Sequence, residues 1–440
     1  MDTAILRSRI LDLAIRGQLV PQDPNEGTAD DLLKTIAAQR HIVFDSQADL
    51  CNEFLNSLDL KLPNTWTFCK IKNIADVKGG KRIPKGKQLT SENTGHKYIR
   101  VLNMKNGTVE TDNILFVPYD VYDSIKMYYI TKDDVYITVA GTIGRVGTIP
   151  EELDHANLTE NANKLVLYQI DKNYVALVLK SQFVQKQIEM ATTSVGQPKL
   201  AIKRIEELII PLPPLAEQHR IVAKVEELLS EVDKIEQAQT DITQAATILR
   251  SRVLDSALKG ELTHSNTSEW ENVKLGDVAE VARGGSPRPI KEYITTSSDG
   301  INWIKIGDTD KGSKYINSCK EKIIKEGIRR SRMIHKGDFL LTNSMSFGRP
   351  YISNIEGCIH DGWLVISPKE NTFDKEYLYY LLSSNVVYAQ FCDKASGSTV
   401  SNLNIDKVVG TLIPLPPLAE QHRIVAKIEQ LFTEIDKLVK

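Results

Sequence analysis

Between Lys78 and Lys87 the segment KGGKRIPKGK carries Lys78, Lys81, Arg82, Lys85 and Lys87 in ten residues with no acid among them. Cations on a Gly-rich loop can neutralise phosphates, and an arginine can also bond a guanine edge with two hydrogen bonds. That is chemistry for holding a nucleic acid rather than for breaking a bond. The segment ARGGSPRPIKEY brings back the Gly-Gly pair at Gly284–Gly285, with Arg283, Arg288 and Lys291 around it. Shortly after, KEGIRRSRMIHK adds Arg329, Arg330 and Arg332. Arg145 and Arg349 each follow a glycine at matching places in the two halves. Lys199 lies in the loop TTSVGQPKL (Thr192–Leu200), whose counterpart is ASGSTVSNL (Ala395–Leu403). Any one of these cations could equally be a solvated surface charge. The Lys78–Lys87 cluster as a whole points to DNA.

Several other chemistries fail on spacing. GKRIPKGKQ resembles a phosphate loop, but five residues separate Gly80 from Gly86, and Gln88 stands where Ser or Thr is required. EQHR at Glu217–Arg220 has no second histidine one turn away, as a zinc helix would need. The eight histidines show no ligand spacing, and no Gly-x-Ser-x-Gly elbow occurs. There is no Asn-Pro-Pro-aromatic run of the kind that holds an extruded adenine, and no Gly-rich turn suited to a methyl donor. No metal site or cofactor is expected in this chain.

These loops must be carried by something. Fifteen residues, IPLPPLAEQHRIVAK, occur twice without a difference, at Ile210–Lys224 and Ile413–Lys427. A second pair, ILRSRILDLAIRGQL at Ile5–Leu19 and ILRSRVLDSALKGEL at Ile248–Leu262, repeats at a different offset, because about forty extra residues follow the first copy. A solenoid repeats every ~20–50 residues, so a period this long means two similar halves. In mid-chain the PLPPLAEQ helix should run straight into the LRSR helix. At the termini the two are split, which makes the order pseudo-circular.

Each PLPPLAEQ helix should begin just after its Pro-Pro pair, with Glu217 near the positive end of the dipole. Leu215 opens it, and Ile221, Val225, Leu228, Val232 and Ile235 then form one apolar stripe. Leu418, Ile424, Ile428, Leu431, Ile435 and Leu438 repeat it in the second copy. The expected partner of each stripe is the other stripe, in an antiparallel pair; packing on the stripe's own domain is the alternative. From Pro214 to Glu236 such a helix measures roughly 35 Å at 1.5 Å per residue, about one turn of B-DNA.

Between the helices the halves have diverged. WTFCKIKNIADV at Trp66 aligns with WENVKLGDVAEV at Trp270, YIRVLNM at Tyr98 with WIKIGDT at Trp303, and ITKDDVYIT at Ile130 with IHKGDFLLT at Ile334. Short β-branched and aromatic runs cut by Gly, Pro and Asn predict a mixed sheet, closed by helices near Tyr174–Met190 and Asp374–Phe391. Net charge is only −2, but residues 64–200 hold 18 Lys and Arg against 14 Asp and Glu, so the acid excess belongs to the helices. The five cysteines are scattered with no CxxC pair, which reads as free thiols in a reducing compartment. No apolar run is long enough to span a bilayer, and the N-terminus does not read as a secretory signal. A cytoplasmic location is expected.

The doubled PLPPLAEQHRIVAKVEELL-type segment and RSRILDLAIRGQLVPQDPNEG together resemble the specificity subunit of type I restriction–modification systems. The resemblance covers nearly the whole chain. It implies an α+β fold: two similar mixed α/β target recognition domains separated by an antiparallel pair of long helices, with pseudo-two-fold organisation. On that reading residues 1–63 are an N-terminal helical segment, 64–203 the first recognition domain, 204–264 the central helical spacer, 265–408 the second domain and 409–440 the closing helix. The resemblance further implies a non-catalytic reader of a split, asymmetric site on double-stranded DNA. Two methyltransferase subunits carrying S-adenosylmethionine would dock on it, and motor–nuclease subunits would join the full complex, with no membrane partner. A methylation-only or type II-like system could use the same reader. A two-domain scaffold that binds protein, or an enzyme with a composite site, stands as the competing class.

Overall fold

The computed structural model describes residues 2–42, 61–192, 198–310, 312–343, 347–395 and 403–439. Most of the two loops expected to touch DNA at 192–200 and 395–403 lies outside the described residues, as does Cys51. The chain divides into two compact units, residues 1–237 and 238–440.

In the first unit α1 (Thr3–Ile15) starts on Asp2, whose carboxylate accepts from the amides of Ala4 and Ile5. It stops at Gly17, in the left-handed region at φ 65°, where an added Cβ would lie 2.4 Å from Pro63 Cγ. After α2 (Ala29–Arg40), β1 (Thr67–Lys70) pairs antiparallel with β10 (Ile209–Leu212). Two four-stranded sheets lie between them. One has β2 (Ala75–Gly79), β9 (Ala162–Leu167), β6 (Val135–Thr138) and β7 (Val146–Thr148) in that order. The other runs β4 (Leu115–Phe116), β3 (Lys97–Ile99), β8 (Ala156–Leu158), β5 (Tyr129–Ile130). In it β3 and β8 are parallel, with Ile99 opposite Leu158, while its other pairs are antiparallel, so the mixed sheet is present. All four residues of the VYIT run in β6 are buried, as a continuous apolar strand demands.

The second unit repeats this order with an extra edge strand on each sheet. β11 (Glu271–Lys274) pairs with β22 (Leu412–Leu415). The first sheet runs β12 (Ala279–Arg283), β21 (Trp363–Pro368), β18 (Phe339–Thr342), β19 (Pro350–Ser353), β15 (Tyr315–Ile316). The second runs β13 (Ile294–Thr295), β16 (Glu321–Ile323), β14 (Ile301–Ile304), β20 (Gly357–Ile359), β17 (Arg332–Ile334), with β14 and β20 parallel. The single closing helix expected in each half is a pair. α3 (Lys172–Lys180) and α4 (Gln182–Ala191) break at Ser181, whose hydroxyl caps α4. The second unit has α6 (Lys375–Leu382) and α7 (Asn385–Ala395), broken at Ser383–Ser384. Serine hydroxyls that satisfy free amides favour such a break.

The central helix α5 (Leu215–Leu258) is continuous over 44 residues, so the PLPPLAEQ and LRSR segments do fuse. The closing helix α8 (Leu418–Val439) has 22. Within the second unit they are antiparallel: Arg250 of α5 pairs with Asp436 late in α8, while Thr263 and Ser265, just past α5, bond Glu420 at the start of α8. Within the first unit α1 runs antiparallel to the start of α5, through Arg7 to Asp233 and Glu236 at one end and Gln22 to Glu217 at the other.

The apolar stripes divide along their length. Ile221, Val222 and Val225 bury in the core of the first unit beside Tyr174, Val178 and Ile210, with Leu229 packed against it. Ile424 and Ile428 do the same in the second unit beside Tyr377 and Ile413, with Phe432 packed against that core. The first turns of each stripe therefore pack on their own domain. Leu228 and Leu431 are half-buried, Val232 and Ile435 buried. Leu418, Ile235 and Leu438 are exposed, and Leu215 is half-buried.

Candidate nucleic-acid interface

The identical residues of the repeat fasten helix to domain. Gln218 and Gln421 are fully buried. The Gln218 carboxamide accepts from the Asp171 amide at 3.0 Å and donates to the Pro213 carbonyl at 3.0 Å. Gln421 accepts from the Asp374 amide at 2.7 Å and donates to the Pro416 and Thr372 carbonyls. Asp171 and Asp374 cap α3 and α6, and His219 and His422 stand 3.4 and 3.3 Å from those same carboxylates. Tyr174 and Tyr377 donate their hydroxyls to the Pro211 and Pro414 carbonyls at 2.8 and 3.0 Å. A buried amide side chain left unpaired is costly, so both copies of the segment are held to one solution. These partners were overlooked in the sequence. Their signal was the repeat offset itself, which links Asp171 to Asp374 and Tyr174 to Tyr377.

The preceding glutamates differ in their partners. Glu217 accepts from Trp66 Nε1 at 2.9 Å and Gln22 Nε2 at 2.6 Å, and its burial lifts its carboxyl above the ordinary range. Glu420 is also penalised by burial, but the hydroxyls of Ser265 and Thr263, with Arg423, outweigh this and hold its carboxyl below the ordinary range. Gln22 and Glu26 come from the extra forty residues of the first unit, and Arg220 grips Glu26 with two nitrogens at 3.0 and 2.6 Å. That insertion thus fastens the start of α5.

The basic loops leave the sheets at the same place. Gly80 and Gly284 lie so close to the β8 and β20 strand ends that an added Cβ would fall 2.1 Å from the Thr159 carbonyl oxygen and 2.2 Å from that of His360. Lys81 N donates to the Leu158 carbonyl at 2.8 Å, and Gly285 N to that of Ile359 at 3.1 Å. Only glycine permits such an approach, so Gly80 and Gly284 share one position, whereas the second glycine of each pair falls on opposite sides of it, Gly79 before and Gly285 after.

In the first unit Lys78, Lys81, Arg82, Lys85 and Lys87 are all exposed. Lys78 lies 3.8 Å from Asp76, Arg82 Nε 2.6 Å from Glu160, and Lys87 pairs with Asp120, holding that carboxyl below its usual range. Lys81 Nζ sits 5.5 Å from the centre of the Tyr128 ring. Lys85 has no ion pair among the described residues. The loop roofs an open cleft of about 510 Å³ above Tyr98 and Thr159.

In the second unit four of the expected arginines come together. Arg332 Nε donates to the Arg283 carbonyl at 3.0 Å, and Arg330 to the Arg288 carbonyl at 3.2 Å, with Arg330 5.8 Å from the Tyr293 ring centre. Arg283 donates to the Asp361 carbonyl at 3.0 Å, and Arg288 lies 3.6 Å from the Asp361 carboxylate. Arg288, Lys291 and Lys305 rim a cleft of about 730 Å³ floored by Trp303 and His360, the counterpart of the first. Trp303 replaces Tyr98 at the matching strand position. Arg329 is exposed at the end of the same turn.

Arg145 and Arg349 stand apart from these clusters, on the turns after β6 and β18. Their amides donate to Thr138 and Thr342 hydroxyls, both at 3.0 Å, and their side chains are exposed. The matched position is thus one backbone turn in both units. Lys199 is exposed beside the buried Leu200. Among the described residues no helix is long and apolar enough to cross a membrane.

The comparisons with known proteins agree with this architecture. The family profile of the type I restriction modification DNA specificity domain matches twice, at residues 63–244 and 267–440. The chain is 25% identical over 413 residues to the type I restriction enzyme EcoBI specificity subunit of Escherichia coli, covering 89% of this chain and 84% of that one. With the EcoKI specificity subunit of the same organism it is 23% identical, covering 86% and 85%. In fold it resembles a chain from a structure of the type I R-M system, with TM-score 0.66 at 19% identity, spanning 86% of this chain and 93% of that one. The HsdS subunit from Thermoanaerobacter tengcongensis gives TM-score 0.52 at 19% identity, spanning 86% and 92%. With two profile matches spanning most of its length, this chain belongs to the type I restriction–modification DNA specificity family.

Proposed function

We propose that this chain reads a bipartite, asymmetric target on double-stranded DNA, one half-site for each recognition domain, residues 64–203 and 265–408. The observation that carries the reading is that the same glycine-seated loop leaves the same strand end in both units but displays different cations, KGGKRIPK in one and RGGSPRP in the other. One scaffold with two unlike basic surfaces suits two unlike half-sites. Lys and Arg on these loops engage phosphates and guanine edges. The chain itself does no bond chemistry. Two methyltransferase subunits dock on its repeated helices, bind S-adenosylmethionine and modify adenines, and motor–nuclease subunits complete the assembly in the cytoplasm. The long helices set the gap between the half-sites.

Mapping adenine methylation by long-read sequencing, with the chain expressed beside its methyltransferase and then without it, tests this. A split motif that disappears with the chain is the expected result. An unchanged methylome with an active methyltransferase would refute the reader role and favour a protein-binding scaffold.

A further inference from the structure

Each basic loop lies against a carboxylate placed at the same point of the sheet. Strand β8 ends at Leu158 and β20 at Ile359, and two residues beyond them stand Glu160 and Asp361. The surrounding residues, Thr-Glu-Asn and His-Asp-Gly, share nothing else. Glu160 takes Arg82 Nε on one oxygen at 2.6 Å and the Thr159 hydroxyl on the other at 3.1 Å. Asp361 takes the Ser286 hydroxyl at 2.7 Å, and Arg288 approaches its other oxygen at 3.6 Å. Arg82 and Arg288 remain 77% and 82% exposed, so both stay open to solvent beside their carboxylates.

We propose that Glu160 and Asp361 are built-in competitors of the DNA phosphate, which lower binding to wrong sequences and so sharpen recognition. This rests on the reading of the loops as DNA-binding. An exposed ion pair contributes only about 0–1 kcal/mol, so a phosphate displaces the carboxylate easily. The displaced carboxylate then faces a like charge, a penalty felt on any duplex. Non-specific binding consists almost wholly of phosphate contacts and takes the full penalty. In the cognate complex the arginine is committed to base edges, and its hydrogen bonds to them offset the penalty. Discrimination arises from this repulsive element as much as from attraction.

The test uses the full chain assembled with its methyltransferase, carrying Glu160→Gln or Asp361→Asn, on cognate and scrambled duplexes across a KCl series. An exposed pair contributing about 0–1 kcal/mol corresponds to at most about a fivefold change in affinity. Affinity for scrambled DNA should rise by up to that factor while cognate affinity rises less, so their ratio falls. Glu160→Asp and Asp361→Glu should restore the parent ratio. Loss of cognate affinity with unchanged scrambled binding would overturn the proposal in favour of direct base reading, and unchanged affinities in a normally melting variant would overturn it outright. If Glu160→Gln fails to fold, Asp361→Asn decides alone. A parent complex that binds both duplexes equally would refute the DNA-reader reading, and this inference with it.

Discussion

Replacing Arg288 and Arg330 together by alanine removes two cations from the rim of the second unit's loop without touching its core. Arg288 is 82% exposed and Arg330 makes one backbone bond and one ring contact, so folding should be little changed. If each arginine neutralises one phosphate, the slope of log K against log salt should flatten by about 1.8, since each contact contributes about 0.9. At ~0.1 M salt, referred to 1 M, that is roughly a sixtyfold loss, or about 2.5 kcal/mol. Fluorescence anisotropy on a labelled duplex of scrambled sequence, with the methyltransferase bound and KCl varied, measures both slope and affinity. Thermal melting of the same samples verifies the fold. A double variant with parental slope and affinity would refute the placement of the DNA surface. A large affinity loss with an unchanged slope on the cognate duplex would show that these side chains read bases and touch no phosphate.

Gly80→Ala should lower the melting temperature and weaken DNA binding, because its Cβ would meet two carbonyl oxygens at 2.1 and 2.4 Å, and overpacking of this kind costs about 1–3 kcal/mol. Gly307→Ala, in open space, is the control and should melt like the parent. Glu420 has a folded carboxyl below its ordinary value of 4.5, so its contribution is full above that value and disappears as pH falls through the folded pKa. Glu217 is raised, so its contribution is full below 4.5 and disappears as pH rises through its folded pKa. Melting curves from pH 3.5 to 7 should therefore show a shallower acid loss in Glu420→Gln and none of that flattening in Glu217→Gln; equal profiles would contradict the assignment. Four helical residues inserted after Gln237 lengthen α5 by about 6 Å, so the methylated half-sites should move apart by about two base pairs. An unchanged gap in the methylation map would exclude α5 as the ruler.

The sequence by itself determined the number of units, their order and the fused central helix. A fifteen-residue identity at a 203-residue offset marks two copies of one segment, and Gln218 and Gln421 do make matching buried contacts in both. It also pointed to the Gly-Gly loops, because glycine beside a cluster of cations marks both a close approach and an exposed charge. Tertiary structure alone decided where the helix stripes go. Ile221 and Ile424 have the same spacing whether they face a partner helix or their own sheet, and periodicity marks an apolar face without naming what covers it. The same holds for the arginines. Arg283, Arg288, Arg330 and Arg332 are up to 49 residues apart in the chain, and only the adjacency of β12, β20 and β17 at their ends gathers them around one turn. Glu160 and Asp361 were invisible beforehand because a single acid in a loop carries no pattern. Their meaning comes from standing at equivalent ends of two parallel strand pairs, each with an arginine within reach.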